Sequence, residues 1–322
     1  MKGWSEELDR AAQAIAGAPE VALACHEWPD GDALGSMMAL FHLCRAQGRS
    51  SLASWPEPEE VAPHYRFLPG LDATTPPARF PSEPAVMVTF DCGSIERLGK
   101  LQVAARSAHH LIVLDHHATN SGYGSINAID PNAAATAVMV RRLARRLDWP
   151  LNRDAALCLY TGLVTDTGRF QYANTTPEVF ALAQELAAFD LPIESITREL
   201  FEKSRFAYIQ MAAACLTRMR LDAGTGLVSA TITEEDLGRF GVALEETEGF
   251  IDLVRRTAEA RVAVVARYAP DGARVSLRSM DGTDVGAVAV SLGGGGHAHA
   301  AGFTHAGSVE EAVELVRAAL AG

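Results

Sequence analysis

The sequence predicts an α/β protein with two domains: an N-terminal domain built on a parallel sheet and a smaller C-terminal α/β domain. Short apolar runs alternate with helix-period segments over the first half, as in βα units around a parallel sheet. The 322 residues exceed the usual length of one domain. The helical pattern breaks at Asp190-Leu191-Pro192. We therefore predict a first domain over residues 1–190, a linker over 191–210 and a second domain over 211–322.

Apolar runs between turn residues are the predicted strands, and the longer periodic segments are the predicted helices. In the first half, strands are expected at Val21–Cys25, Ser51–Trp55, Ala85–Phe90 and Leu111–Leu114. Helices are expected at Leu34–Ala46, Ala134–Leu147, Arg153–Leu163, Pro177–Ala188 and Phe206–Arg220. The second domain is expected to contain strands at Leu227–Ile232, Arg261–Tyr268, Ala273–Arg278 and Val285–Ser291, the last three antiparallel, and a final helix at Val309–Leu320.

The net charge, the hydropathy pattern and the cysteines limit the substrates and the cellular location that the sequence predicts. A net charge of -12 would repel a long polyanion, so any nucleotide substrate should be short. The sequence has no apolar stretch of membrane-spanning length and begins with a polar, acidic segment, which predicts a cytoplasmic protein without a membrane partner. Five scattered cysteines without a CxxC pair predict reduced thiols in the core.

Acidic residues follow three predicted strands at the point where each strand ends. Asp30 and Asp32 come after the first strand and His26, Asp91 follows the third strand, and Asp115 follows the fourth. Ligands bind beyond the carboxyl ends of the strands in an open parallel sheet. The spacing therefore predicts that these carboxylates converge with three histidines, His26, His116 and His117.

Each of these aspartates alone would be explained as a helix N-cap or a turn residue, as Asp32 before Ala33 illustrates. The whole set would repel itself unless cations neutralised it, which favours a metal site. Oxygen and imidazole ligands without cysteine favour Mn²⁺, while cobalt, iron, zinc and magnesium remain compatible. Two ions fit the number of ligands better than one. Asp166 is a further candidate, although Gly168 equally suits a helix C-terminus there.

The predicted second domain carries candidate phosphate ligands. The run Gly293–Gly296 lets backbone N–H groups approach a phosphate, and His297 directly follows it. Arg278, at the end of a predicted strand, offers a planar fork of donors. A flexible turn and a solvated surface arginine are the alternative readings of these two segments.

These motifs together resemble the DHH/DHHA1 phosphoesterases, and within that family the NrnA-like small bacterial oligoribonucleases that also dephosphorylate 3′-phosphoadenosine 5′-phosphate. The resemblance spans nearly the whole chain, and its motifs appear in the family's order. The motifs are HEWPDGDALGS (26–36), DCGS (91–94), DHH (115–117), GLVTDTGRF (162–170), SLRS (276–279) and GGGGHAHAAGF (293–303).

The resemblance implies a role for each candidate residue and an active site in the cleft between the domains. One Mn²⁺ would be held by His26, Asp30 and Asp91, and the second by Asp32, Asp91, His116 and Asp166, with Mg²⁺ or Co²⁺ as alternatives. Asp115 would orient the neighbouring histidine, and His117 would face the reacting phosphate. Arg278, Gly295, Gly296 and His297 would bind a substrate phosphate.

The activity implied is hydrolysis of short RNA to mononucleotides and removal of the 3′-phosphate of 3′-phosphoadenosine 5′-phosphate. The partners would then be short RNA oligonucleotides and a nucleotide bisphosphate, and a homodimer is left open. A cyclic or linear dinucleotide phosphodiesterase of the same superfamily is the alternative enzyme, and a non-catalytic nucleotide sensor is the alternative from another class. A RecJ-like exonuclease fits less well because of the net charge.

Overall fold

The computed structural model describes residues 3–57 and 60–321 and divides into two compact units, one ending at Leu200 and the other beginning at Phe201. The division falls inside the predicted linker. Each unit has its own sheet, and the first sheet is parallel, so the predicted α/β class is confirmed. None of the helices in the described ranges has the length and apolarity that a membrane crossing needs.

The first unit alternates strands and helices. Its strands are β1 (Glu20–Cys25), β2 (Ser50–Ser54), β3 (Val86–Phe90), β4 (His110–Asp115) and β5 (Ile126–Ile129). Its helices are α1 (Trp4–Gly17), α2 (Gly31–Ala46), α3 (Gln102–Ser107), α4 (Thr136–Arg146), α5 (Arg153–Asp166), α6 (Pro177–Ala187) and α7 (Ile193–Thr197), the last continuing as a π-helical turn over Arg198–Glu202.

The strand order of the first sheet is β2-β1-β3-β4-β5, and all neighbouring pairs are parallel. Strands β1, β3 and β4 are buried almost throughout, which explains their nearly continuous apolar sequences. The order reverses at β1, with β2 on one side and β3 on the other. The carboxyl ends of β1, β3 and β4 therefore open at one edge beside this switch point, where such sheets bind ligands.

Helices α2 and α5 pack through glycines. A Cβ added at Gly35 would lie 2.4 Å from the carbonyl oxygen of Cys158, and one added at Gly162 would lie 2.7 Å from Oδ1 of Asp32. Distances this short mean that no side chain fits between the helices at these points. The contact brings α2, which carries Asp32, close to α5, which ends at Asp166.

The second unit contains a mixed sheet in the order β10-β11-β9-β8-β7-β6, in which only β7 and β8 pair in parallel. The strands are β6 (Arg220–Asp222), β7 (Leu227–Ile232), β8 (Val262–Ala269), β9 (Gly272–Ser279), β10 (Gly295–His297) and β11 (Ala300–His305). The helices are α8 (Phe206–Leu216), α9 (Glu234–Phe240), α10 (Ile251–Val254), α11 (Val285–Ser291) and α12 (Val309–Ala321).

Alternate residues of these strands enter two different cores. Val264 and Leu277 pack on one face of the sheet with α11 and α12. Ala263 and Val265 pack on the other face with α8 and α10. The period of two in the sequence of β8 and β9 therefore decides which side chains each face receives.

The prediction of a strand at Val285–Ser291 is wrong, because this segment is helix α11. Asp284 accepts a hydrogen bond from the N–H of Ala287 at 2.9 Å and caps the helix. Val285, Gly286 and Ala289 are the buried residues, a helical spacing that the valine alternation concealed. Neither the helices α1, α3, α7, α9 and α10 nor the strands β5, β6, β10 and β11 are predicted from the sequence.

The glycine contact gives a test of packing. We expect Gly35→Ala to lower the free energy of unfolding by about 1–3 kcal/mol or more, because its methyl group would meet backbone atoms of α5. Urea denaturation measures the change. Gly238→Ala in α9 is the control, since nothing lies within 4 Å of its added Cβ and alanine suits a helix better than glycine. Equal denaturation midpoints for wild type and Gly35→Ala would contradict the close packing.

Candidate active site

The first part of the site follows β1. His26 is buried, and its Nδ1 lies 2.7 Å from the carbonyl oxygen of Glu27. A carbonyl oxygen only accepts, so this contact is a hydrogen bond in the tautomer that carries the ring hydrogen on Nδ1 and the lone pair on Nε2. That Nε2 lies 4.0 Å from Oδ2 of Asp30 and 3.7 Å from Oδ2 of Asp91. The Arg97 guanidinium, which only donates, lies 3.0 Å from the same Nδ1, so each tautomer of the ring makes one of these two contacts a hydrogen bond.

Asp30 is the N-cap of helix α2. Its Oδ1 accepts hydrogen bonds from the N–H groups of Asp32 at 3.1 Å and Ala33 at 3.0 Å. The cap fixes the carboxylate and leaves Oδ2 on the side of His26. Asp30 can therefore cap the helix and bind a metal ion at the same time, because the cap uses Oδ1 and the ion would be bound by Oδ2.

Asp32 is buried between α2, α4 and α5. Its carboxylate accepts hydrogen bonds from the Ser36 hydroxyl at 3.1 Å and from the N–H groups of Thr136 at 2.5 Å and Ala137 at 2.9 Å. The two N–H groups belong to the first turn of α4, where the helix dipole favours a negative charge. Burial nevertheless raises the pKa of Asp32 well above its ordinary value, and the charges of Asp91 and Asp166 raise it further.

Asp91 occupies the centre of the group. Its backbone is left-handed, with φ of 55°, a conformation that aspartate tolerates better than most residues. Its Oδ2 faces His26, while its Oδ1 lies 3.4 Å from Nε2 of His116 and accepts a bond of 3.0 Å from the Thr136 hydroxyl. Burial alone would raise the pKa of Asp91, but the charge of His117 and the contacts with His116 and His26 hold it well below its ordinary value.

The end of β4 supplies a linked pair, Asp115 and His117. Oδ1 of Asp115 accepts bonds from the N–H groups of His116 at 2.7 Å and His117 at 3.1 Å, and lies 2.8 Å from Nδ1 of the His117 ring. The amide of Asn120 donates to the other carboxylate oxygen. Burial lowers the pKa of His117, but Asp91 and Asp115 outweigh it and raise that pKa to about 9. The His117 ring is thus the one that Asp115 orients.

His116 is held by a different acceptor. Its Nδ1 lies 3.1 Å from the carbonyl oxygen of Ala133, an acceptor that favours the tautomer with the ring hydrogen on Nδ1. Its Nε2 lies 3.9 Å from Asp32, 3.4 Å from Asp91 and 3.5 Å from Asp166. Burial raises the pKa of Asp166 to about 6. The positive charge of His116 lowers this pKa, while the negative charges of Asp91 and Asp30 raise it.

These side chains form overlapping groups that suit divalent ions. His26, Asp30 and Asp91 make one group and Asp32, Asp91 and His116 another, and the candidate ligand atoms within each lie within 4.8 Å of one another. Asp91 belongs to both. In both His26 and His116, Nδ1 faces a backbone carbonyl and Nε2 faces carboxylates. This is the usual arrangement of histidines that bind a metal ion.

Two cysteines lie near the group without joining it. Cys25 and Cys92 are buried and free of disulfides. Burial raises the pKa of Cys25 well above its ordinary value and that of Cys92 to about 12. Both thiols are therefore protonated at neutral pH, and the available ligands are oxygen and imidazole nitrogen.

Four polar residues around this group were missed by sequence reasoning. Arg97 contacts His26, Ser36 bonds Asp32, Thr136 bonds Asp91, and Asn120 bonds Asp115. Ser36 lies four residues after Asp32, one helical turn away, which is a usable signal. Thr136 stands in an alanine-rich segment 45 positions from its partner, and no local spacing relates the two.

In the second unit the sequence candidates share one face of the sheet. Arg278 of β9 is directly opposite Ala300 of β11, which is directly opposite His297 of β10. Directly opposed residues of antiparallel strands point to the same side. Gly296 has a φ of 139°, and a Cβ there would lie 2.6 Å from the carbonyl oxygen of Ala300, so only glycine fits. Gly295 is opposite Gly302 in the same pair of strands.

Both units match known families. Residues 20–163 match the DHH family, N-terminal domain, and residues 225–322 match the DHHA1 domain.

Among curated proteins, the chain is 33% identical over 295 residues to the bifunctional oligoribonuclease and PAP phosphatase NrnA of Thermus thermophilus, covering 91% of this chain and 87% of that protein. It is 27% identical to the NrnA of Bacillus subtilis, covering 86% of each. The fold is similar to that of an exopolyphosphatase-related protein from Bacteroides fragilis, with a TM-score of 0.88 at 24% identity over 98% of this chain and 96% of that chain.

The shared position of Asp91 gives a test that needs no substrate. We expect Mn²⁺ added to EDTA-treated protein to raise the melting temperature, by an amount equivalent to about 2.7 kcal/mol at an ion concentration one hundred times Kd. Asp91→Asn should lose most of this increase, because it replaces one carboxylate oxygen with an NH2 group and removes the negative charge that both groups share. Calorimetric titration with Mn²⁺ should show weaker binding.

Asp130→Asn is the matched control. Asp130 is also buried, but it pairs with Arg142 at 2.6 Å and belongs to neither group. This variant should melt lower than wild type and keep the Mn²⁺-dependent increase. An undiminished increase in Asp91→Asn would rule out the shared position.

Proposed function

The chain belongs to the DHH family of phosphoesterases, and on that premise we propose that it hydrolyses short RNA to mononucleotides and removes the 3′-phosphate of 3′-phosphoadenosine 5′-phosphate. The observation that carries the proposal is the position of Asp91 between two groups of His and Asp residues. The names of the relatives from Thermus thermophilus and Bacillus subtilis support the choice of substrates.

The proposed ligands are the residues whose atoms face the centre of the group. His26, Asp30 and Asp91 would hold one Mn²⁺, and Asp32, Asp91, His116 and Asp166 would hold the other. Mg²⁺ or Co²⁺ would also suit these oxygen and nitrogen ligands. Two such ions, when bound, supply an activated water and neutralise charge on the phosphate oxygens.

His117 has a different role in this proposal. Asp115 engages its Nδ1, and Nε2 would donate a hydrogen bond to a phosphate oxygen. Asp115 and Asn120 act through this ring as positioning residues, because they fix its orientation. Groups held in advance of the reaction cost no reorganisation when charge develops on the substrate.

The second unit would bind a substrate phosphate. The Arg278 guanidinium offers planar donors, and the backbone at Gly295 and Gly296 allows a close approach by an anion. His297 lies on the same face as Arg278. With a net charge of -12, the chain gains little from a long backbone, which favours substrates of about two to five nucleotides.

Substrate length is the first test. In Mn²⁺, we expect kcat/KM to be at least about tenfold higher for an RNA dinucleotide than for a 24-mer, a difference of roughly 1.4 kcal/mol in transition-state stabilisation. The assay compares initial rates for both RNAs, 3′-phosphoadenosine 5′-phosphate and a cyclic dinucleotide. Equal values for the two RNAs would indicate a processive exonuclease. Fast cleavage of the cyclic dinucleotide alone would indicate the alternative phosphodiesterase, and binding without turnover a sensor.

Steady-state kinetics can distinguish a residue that binds metal from one that binds the substrate phosphate. Asp91→Asn should reduce kcat to less than a tenth of wild type, because its side chain faces both groups. Arg278→Ala should raise KM more than it lowers kcat and leave the affinity for Mn²⁺ unchanged. Steady-state kinetics and calorimetry measure these effects. A loss of Mn²⁺ affinity in Arg278→Ala would exclude the phosphate role.

A further inference from the structure

The face of the second sheet that carries Arg278 also carries two other arginines. Residues of β9 alternate between the faces, so Arg274, Ser276 and Arg278 lie together, opposite to the buried Val275 and Leu277. Arg267 of β8 is directly opposite Arg274 and shares its face. The three arginines therefore lie on the face of the sheet on which Ala263 and Val265 pack against α8 and α10, and we call their part of it the arginine face.

Like charges directly opposed on neighbouring strands are destabilising. The Arg267–Arg274 pair is such an arrangement, and Arg267 is also half-buried. Burial lowers the pKa of Arg267; Glu248 opposes this effect, while Arg274 and Arg278 add to it. The two opposed guanidinium groups concentrate positive charge on this part of the sheet.

The hydrogen bonds of Arg267 do not satisfy its guanidinium. The contacts with the Thr247 and Ser276 hydroxyls are long, at 3.5 and 3.4 Å. Nε of Arg267 is buried without a hydrogen-bond partner in the described part of the chain, and Nε of Arg278 is likewise. Buried donors without partners cost free energy unless a ligand or water accepts from them.

The neighbouring strand β11 presents small residues on this side of the sheet. On β11, the residues on this side are Ala300, Gly302 and Thr304, since Ala301 and Phe303 enter the opposite core. Thr304 is directly opposite Arg274 and offers a hydroxyl. The arginine face is therefore flanked by small residues and by a further hydrogen-bonding group.

We propose that Arg267 and Arg274, with the Ser276 and Thr304 hydroxyls, form a second phosphate subsite beside the one at Arg278 and His297. This proposal rests on the proposed function, because it takes the occupant to be another phosphate of the same oligonucleotide. Arg274 and Arg278 are four residues apart on an extended strand, about 13 Å between Cα atoms. That separation exceeds the size of one phosphate group, so the occupants are different phosphates.

The second subsite would make kcat/KM depend on the length of the oligonucleotide. 3′-Phosphoadenosine 5′-phosphate has no internucleotide phosphate to reach it, whereas a 5′-phosphorylated tri- or pentanucleotide has further phosphates along its backbone. We expect Arg274→Gln to leave kcat/KM for the bisphosphate within twofold of wild type and to lower it at least about tenfold for the pentanucleotide. The slope of log kcat/KM against log salt for the pentanucleotide should fall by about 0.7, the value for one phosphate contact to a single strand.

Arg220→Gln is the matched control. It removes the same charge from the same sheet, on the exposed edge strand β6, and should change neither substrate. Arg274→Lys should retain most of the activity on the pentanucleotide if charge is what matters. Thermal melts should show that Arg274→Gln and Arg220→Gln are both folded at the temperature of the assay.

Binding without catalysis distinguishes the failure of this proposal from the failure of the proposed function. In EDTA, fluorescence anisotropy should show weaker binding of a labelled pentanucleotide to Arg274→Gln than to wild type or Arg220→Gln. Equal binding to all three would overturn the subsite, even if the wild type proved inactive on RNA. An equal loss on the bisphosphate and the pentanucleotide would also overturn it, since Arg274 would then serve the first phosphate or the fold.

Discussion

The burial of several carboxylates in one small volume is the constraint on which the first unit depends. Asp32, Asp91 and Asp115 are each at most 2% exposed. Each is stabilised differently: Asp32 by the N-terminus of α4, Asp91 by surrounding imidazoles, and Asp115 by His117 and Asn120. The order of the strands, the glycines between α2 and α5 and the start of α4 all serve to bring these partners to the carboxylates.

The two units have opposite electrostatic requirements. The site of the first unit concentrates negative charge and suits cations. The arginine face of the second concentrates positive charge, although the chain as a whole carries a net charge of -12, and the proposed phosphate subsites depend on it. Net charge therefore bears on the attraction of long polyanions, and it does not decide where a short anion binds. The local arrangement decides, since screening and solvation act on each group separately.

Sequence reasoning succeeded where one structural rule governed the outcome. The carboxyl ends of β1, β3 and β4 meet at one edge, so Asp30, Asp91 and Asp115 could be brought together from strand positions alone. It did not find Thr136 or Arg97, because their partners are distant in sequence and neither stands in a distinctive pattern. It mistook α11 for a strand because valines at 285, 288 and 290 nearly alternate, and the burial that separates a helix from a strand is a tertiary property.

The double role of Asp32 limits how sequences of this family can diverge. The Asp32 side chain, which is proposed to hold an ion, also accepts hydrogen bonds from the first N–H groups of α4. It occupies space that is open because Gly162 has no side chain. A change at position 32 therefore alters folding and chemistry together, and neither trait could drift there without the other. New activities on this scaffold are more easily reached through the second unit, where substitutions on the arginine face leave the carboxylate network of the first unit intact.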